Sequence, residues 1–229
     1  MKKEKVLSIS ISIIYTLSLV LFAISFSIAL PIYFRPFYYA LVKPLKIVES
    51  VNSYTGLSLT QKEIIQAYDE VLNFCCFYTK FGAGKLKWSQ EGMSHFADCR
   101  VLFTLDSIVM LITFFIIVGV HVIKRKFQNI KLVPFVHLIA GISSILIPIV
   151  IGILASINFD KAFEIFHKIF FPGKENWLFD ASQDQIILAM PEEFFMSCAI
   201  LIGVSLLSIS IYYLIRGIIS IKKIKEEVV

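Results

Sequence analysis

Two short stretches carry side chains able to move a proton near neutral pH. One is "WSQEGMSHFADCRVLFTLD", where His95 and Asp98 share a helix face and Asp106 lies two turns farther on. The other is "IFHKIFFPGKENW", where His167 sits among phenylalanines and Trp177 closes the segment. Histidine titrates between pH 5 and 8, so either ring could take a proton from a nucleophile or return one to a leaving group. Two histidines and a carboxylate are also a metal-ligand set. No HExxH helix or obvious fourth ligand accompanies them here. The plainer reading of His95, Asp98 and Asp106 is a helix end that turns its polar residues to water. An acid inside an apolar run, as Asp106 is, usually faces a partner or a wet cavity. His121 and His137 stand beside a basic turn and read as structural.

Long apolar runs must position these groups. The chain has 229 residues, and 57% of them are hydrophobic, too many for an ordinary soluble domain. Four runs account for the excess: Val6–Leu30, Val101–Ile123, Leu132–Ile157 and Phe194–Ile215. At 1.5 Å per residue each can cross a hydrocarbon core of about 30 Å. The opening run has a rival reading as a secretory signal, with Ser27-Ile28-Ala29 as a cleavage site. It is longer than a signal core and is kept as an uncleaved helix. The expected fold is an all-α integral membrane protein, a four-transmembrane-helix bundle. An extracytoplasmic insert lies between helices 1 and 2, and an interfacial helix between helices 3 and 4.

Charge sets the expected orientation. Half of the 22 Lys and Arg fall in residues 1–5, 124–131 and 216–229, which the positive-inside rule makes cytoplasmic. Residues 31–100 and 158–193 then face outward, and both termini face the cytoplasm. The net charge of +5 is thus a topology signal and not a nucleic-acid signal. The cytoplasmic turn "KRKFQNIK" is too short to hold a site, so the chemistry belongs at the outer leaflet of the cell membrane.

The outer segments contain further patterns. "PIYFRPFYYALVKP" suits an aromatic belt and contains Arg35. Thr60 and Glu63 form a capping-box pattern before an amphipathic helix. "FGAGK" lacks the spacing of a phosphate loop. Cys75, Cys76, Cys99 and Cys198 make no CxxC pair and read as packing residues. Asn158 or Asp160 can start a short helix with Phe159, Phe163, Phe166 and Phe170 on one stripe, stopped by Pro172-Gly173. His167 beside that stripe would sit at the depth of lipid ester groups, a suitable place for ester chemistry. Pro191, Glu192 and Glu193 suit the first turn of the last helix.

The order Leu-Pro, His-x-x-Asp, then "FHKIFF…NW…D…D…PEEFF" resembles the lipoprotein intramolecular transacylases, four-helix membrane proteins of low-GC Gram-positive bacteria. The likeness is most specific at Ser94–Arg100 and Phe166–Phe195. Where the family usually has Val-Lys after His-x-x-Asp, this chain has Cys99-Arg100, which leaves the histidine match intact and weakens a role borrowed for position 100. Besides membrane lipid as a further partner, the resemblance implies a diacylglyceryl lipoprotein substrate. Its sn-2 acyl chain would move to the α-amine of the N-terminal cysteine, giving a lyso-form lipoprotein. It implies His95 and His167 as the catalytic pair, with no cofactor and no metal. Asp98 or Glu193 could hold a histidine tautomer, and Arg35, Trp177 or a backbone N–H could support the oxyanion. Asp184 falls on the same motif, and Asp106 continues the stripe of His95. The competing readings are a metal-dependent membrane hydrolase, a non-catalytic chaperone or sensor, and a transporter.

Overall fold

Backbone crossing hydrocarbon must satisfy its own hydrogen bonds, so uninterrupted apolar runs become helices. The structure is a computed structural model and describes residues 2–127 and 131–228. Among them there is no strand. The helices are α1 (Lys2–Tyr33), α2 (Pro36–Leu41), α3 (Ile47–Thr55), α4 (Gln61–Phe77), α5 (Gln90–Lys126), α6 (Val136–Ile157), α7 (Phe159–Phe170), α8 (Ile186–Ala189) and α9 (Glu192–Val228). Four are long and apolar enough to cross a membrane, over Glu4–Tyr33, Gln90–Lys126, Val136–Ile153 and Glu192–Lys223. They outrun the apolar stretches. The helix α5 starts at Gln90, so His95 and Asp98 ride on the same rod as the Val101–Ile123 run. Lysine and glutamate propagate helix well, so α1 and α9 continue into their charged ends. Within the expected turn 124–131, residues 128–130 lie outside the described residues.

The chain divides into two compact units. The bundle unit comprises Met1–Ile28, Asp106–Ile153 and Ile202–Val229. Tyr15, Leu19, Val120, Val136, Leu206 and Tyr213 form its core. Lipid supplies no hydrophobic drive between helices, so close backbone approach and cross-helix hydrogen bonds hold them. A Cβ on Gly217 of α9 would lie 2.6 Å from the backbone nitrogen of Leu138 in α6. The Ser12 hydroxyl accepts from Val133 N–H at 2.9 Å, and the Tyr213 hydroxyl donates to the Leu19 carbonyl at 3.3 Å. Leu111, Phe115, Ile151 and Ile211 are exposed, the surface that a hydrocarbon solvent favours.

The site unit comprises Ala29–Leu105 and Leu154–Leu201. The start of α4 carries the full capping box: Thr60 N–H donates to the Glu63 carboxylate, and Glu63 N–H donates to the Thr60 hydroxyl. The buried face of α4, with Ile64, Tyr68, Val71 and Cys75, follows the apolar spacing of its sequence. Tyr68 stacks on Tyr38 with centroids 3.7 Å apart, and Phe194 packs edge-on against both. The Tyr38 hydroxyl donates to the carbonyl of Ala189 at 2.8 Å, which pins α8. Gly56 ends α3 at φ +71°, a left-handed position that glycine adopts without a Cβ penalty. The four cysteines are free thiols.

Candidate active site

A histidine near a helix start is only as well placed as that start. Ser89 caps α5: its hydroxyl accepts from Gly92 N–H at 2.9 Å. The buried Asp184 holds the cap in turn, accepting from the Ser89 N–H and from the Ser89 hydroxyl, each at 2.7 Å. Beside it, Gln185 N–H donates to the Lys87 carbonyl and Lys87 N–H to the Gln185 side chain. The segment before α8 is thereby stapled to the start of α5. The fit leaves no room for a side chain at Gly92, where a Cβ would fall 2.1 Å from Asp184 Oδ1.

The second histidine sits on α7, which Asn158 starts by accepting from Lys161 N–H at 2.8 Å. The aromatic stripe and the histidine part company here. Phe166 is 48% exposed and Ile169 65%, whereas His167 is turned inward and 6% exposed. Nδ1 of His167 lies 2.8 Å from the Phe163 carbonyl one turn back. A carbonyl can only accept, so Nδ1 carries the proton and Nε2 keeps its lone pair. Trp177 stacks on the ring with centroids 4.6 Å apart and planes 24° apart. Burial pushes the His167 pKa below the ordinary imidazole range, with the bond to Phe163 pulling the other way.

The two rings meet. The centroids of His95 and His167 are 5.7 Å apart, with Phe171 packed against both and Phe179 against His95. His95 is as buried as its partner, at 6% exposure. Its Nε2 lies 3.4 Å from the Cys99 sulfur, and its Nδ1 is buried with no hydrogen-bond partner among the described residues. Asn176 Oδ1 is a second such orphan. Buried polar atoms are nearly always paired, so the orphan nitrogen of His95, in a ring that meets His167, marks a place for a ligand. A cleft of about 920 Å³ is lined by Phe163, Phe171 and Trp177, the ring partners of His167, together with Lys168, Lys174 and the acids Asp160, Glu164 and Glu175; neither histidine lines it.

The remaining sequence candidates take different places. The Asp98 carboxylate is held by the Lys174 ammonium and by Asn176 Nδ2–H at 3.0 Å, which ties the loop after α7 to α5. Trp177 spends its indole N–H on the Lys174 carbonyl at 3.0 Å and meets the site with its ring face. Arg35 pairs with Asp69 at 3.1 Å and Asn73 at 2.8 Å, both on α4. Glu193 is exposed in the first turn of α9. Asp106 belongs to the bundle unit, where Ser25 of α1 is its partner. Among the described residues no three His, Cys, Asp or Glu side chains converge as a ligand set. Sequence reasoning missed Cys99, Lys174, Asn176 and the Phe163 carbonyl. Two of them left a trace: Cys99, one turn beyond His95, and Asn176, the asparagine of the "NW" in the family pattern.

Known proteins resolve which chemistry this is. The family profile "Lipoprotein intramolecular transacylase Lit" matches residues 13–195, most of the chain. The chain belongs to that family. A transacylase of this kind is an acyltransferase, and the four apolar helices make this one a multi-pass membrane protein. The solved structure of the membrane-integral transacylase Lit from Bacillus cereus is 28% identical, with a TM-score of 0.81 over 94% of this chain and 96% of that one. A variant of the Bacillus cereus transacylase with a histidine replaced by arginine is 26% identical at a TM-score of 0.75, over 95% and 93% of the two chains. Another with alanine there is 27% identical at 0.75, over 94% of each. Among curated proteins none matches. The likeness to the solved transacylase covers 94% of the chain, so the histidine-bearing helices and the spans are all within it.

Proposed function

We propose that this transacylase moves the sn-2 acyl chain of a diacylglyceryl-modified lipoprotein onto the α-amine of its N-terminal cysteine, and that the two histidines divide the work unequally. The observation that carries this reading is the pair of facing, buried rings with complementary free atoms. Nε2 of His167 has a lone pair and takes the proton that the amine loses as its nitrogen attacks the ester carbonyl. The new N–C bond gives a tetrahedral intermediate. The C–O bond to glycerol then breaks, and the imidazolium of His167 returns the proton to the departing oxygen. Net transfer moves one proton from amine to glycerol and leaves the ring as it began.

His95 serves a different purpose. In this reading the Cys99 thiol donates to Nε2, which puts the proton of His95 on Nδ1, the atom with no partner among the described residues. A neutral imidazole N–H is too weak an acid to give its proton away, but it stabilises a developing oxyanion. Asn176 Oδ1 is free to accept from the amine. Nucleophile and ester belong to one molecule, so the protein contributes mainly a reactive conformer and needs no serine or cysteine nucleophile. The basic segments support placing this site at the outer leaflet.

The test is N-acylation of a diacylglyceryl lipoprotein, read by the mass of its N-terminus. His95→Asn and His167→Asn should each insert normally and lose about 100-fold or more in rate. The double variant should be scarcely worse, because residues acting as a unit are not additive. Near-normal turnover in both single variants would overturn the mechanism.

A further inference from the structure

The bundle unit has a cavity of its own that the transacylase chemistry leaves without a task. Its volume is about 440 Å³. Tyr15 stands between two imidazoles, edge-on to His121 at 5.7 Å and to His137 at 5.6 Å between centroids. Its hydroxyl lies 3.4 Å from His137 Nε2. His121 spends Nδ1–H on the Ile117 carbonyl at 2.8 Å, so its Nε2 is left over. Lys124 of α5 and Arg216 of α9 complete this end, and both are near enough to act electrostatically on His137. The described residues lining the cavity include no carboxylate.

Lys124 and Arg216 line one cavity with no carboxylate among its described lining residues, and two cations so placed attract an anion to the space they share. The donors name its type. A guanidinium and an ammonium together suit phosphate oxygens, the first by its planar fork and the second as a point charge. The opposite end of the cavity decides what the phosphate is attached to. Leu19, Phe22 and Phe114 line that end. Phe114 stands ten residues before Lys124 on α5, about 15 Å along the helix. A free phosphate would leave this apolar stretch unused, whereas an acyl chain would cover it.

We propose that this cavity binds one anionic phospholipid, its phosphate between Lys124 and Arg216 and part of an acyl chain along Leu19, Phe22 and Phe114. The site shares no lining residue with the histidine pair and does not depend on its assignment. On the orientation argued from charge, the lipid belongs to the cytoplasmic leaflet.

The full chain, stripped of lipid in neutral detergent, is titrated with phosphatidylglycerol, phosphatidylcholine or inorganic phosphate. Native mass spectrometry reads bound lipid, and the unfolding temperature reads stabilisation. One phosphatidylglycerol should bind saturably and about tenfold more tightly than phosphatidylcholine, a difference of about 1.4 kcal/mol. Inorganic phosphate should leave the unfolding temperature unchanged. Lys124→Gln with Arg216→Gln should erase the preference. Lys222→Gln with Lys223→Gln, on the same helix but outside the cavity, should keep it. The lipid-free unfolding transition checks that each variant folds, and Arg216→Gln alone carries the test if the double variant does not. Equal binding of the two lipids, or equal loss in both double variants, would reduce the effect to diffuse surface charge and overturn the site. Saturable stabilisation by inorganic phosphate would overturn the lipid.

Discussion

A base in a greasy setting has to be kept uncharged to be of use. His167 meets that need through burial, which pushes its pKa below the ordinary value of about 6.5. The ring is therefore neutral at pH 7, and acid must go further to protonate it. The expected outcome is a kcat/KM whose acid limb carries two ionisations, the substrate α-amine at about 7.7–8.0 and His167 below about 6.5, so that the limb steepens below pH 6.5. A limb that keeps the slope of a single ionisation far below pH 6.5 in the natural chain, or the same steepening in His167→Asn, would contradict the assignment of His167 as base. The sign for stability agrees. Between the lowered folded pKa and 6.5 the unfolded chain binds more protons, so stability is lost as the pH falls through that window and levels out below it. His167→Asn should flatten that slope in a pH series of unfolding temperatures. His167 stood out in the sequence because it interrupts an aromatic segment, and His95 because it shares a helix face with Asp98. What their spacing could not disclose was their meeting, across 72 residues of chain. Cys99 looked like filler, and the Phe163 carbonyl has no side-chain signature at all.

At the level of elements, the start of α5 rests on a single carboxylate. Asp184→Ala removes the acceptor of two Ser89 donors from a buried position, which should cost about 1–3 kcal/mol. Gly92→Ala attacks the same junction from the other side, by pushing a methyl into Asp184. The two changes should therefore couple. Gly92→Ala should be strongly destabilising in the natural chain and nearly harmless once Asp184 is alanine, a cycle measurable by thermal unfolding in detergent. Additive losses would show that the methyl and the carboxylate do not compete. The helices themselves were plain in the sequence, since apolar runs, the Thr60–Glu63 box and the Asn158 cap are local signals. The Asp184 staple was not, because it joins segments 95 residues apart. Nor did the aromatic spacing of α7 tell which face turns inward. Phe166 and His167 are neighbours in sequence with opposite exposures.

For the molecule as a whole, the distribution of charge makes a prediction about sides. In a cysteine-free background, a cysteine placed at Lys85 should react with an impermeant reagent in intact cells, and one at Lys126 should not. The reverse pattern would put the histidine pair on the wrong side for a secreted lipoprotein. The class and the number of spans were legible because hydrocarbon permits so few architectures. The pairing of the spans was not, because lipid-facing and helix-facing residues are both apolar, and glycine and serine decide between them. That pairing has a consequence for how the protein is made. The segment of α9 that carries Tyr213 and Gly217 locks onto Leu19 of α1 and Leu138 of α6, yet it is made after both. Until α9 is made, the earlier spans wait in the bilayer with their mating surfaces bare. The nascent chain is therefore expected to lean on lipid or an insertase over that interval.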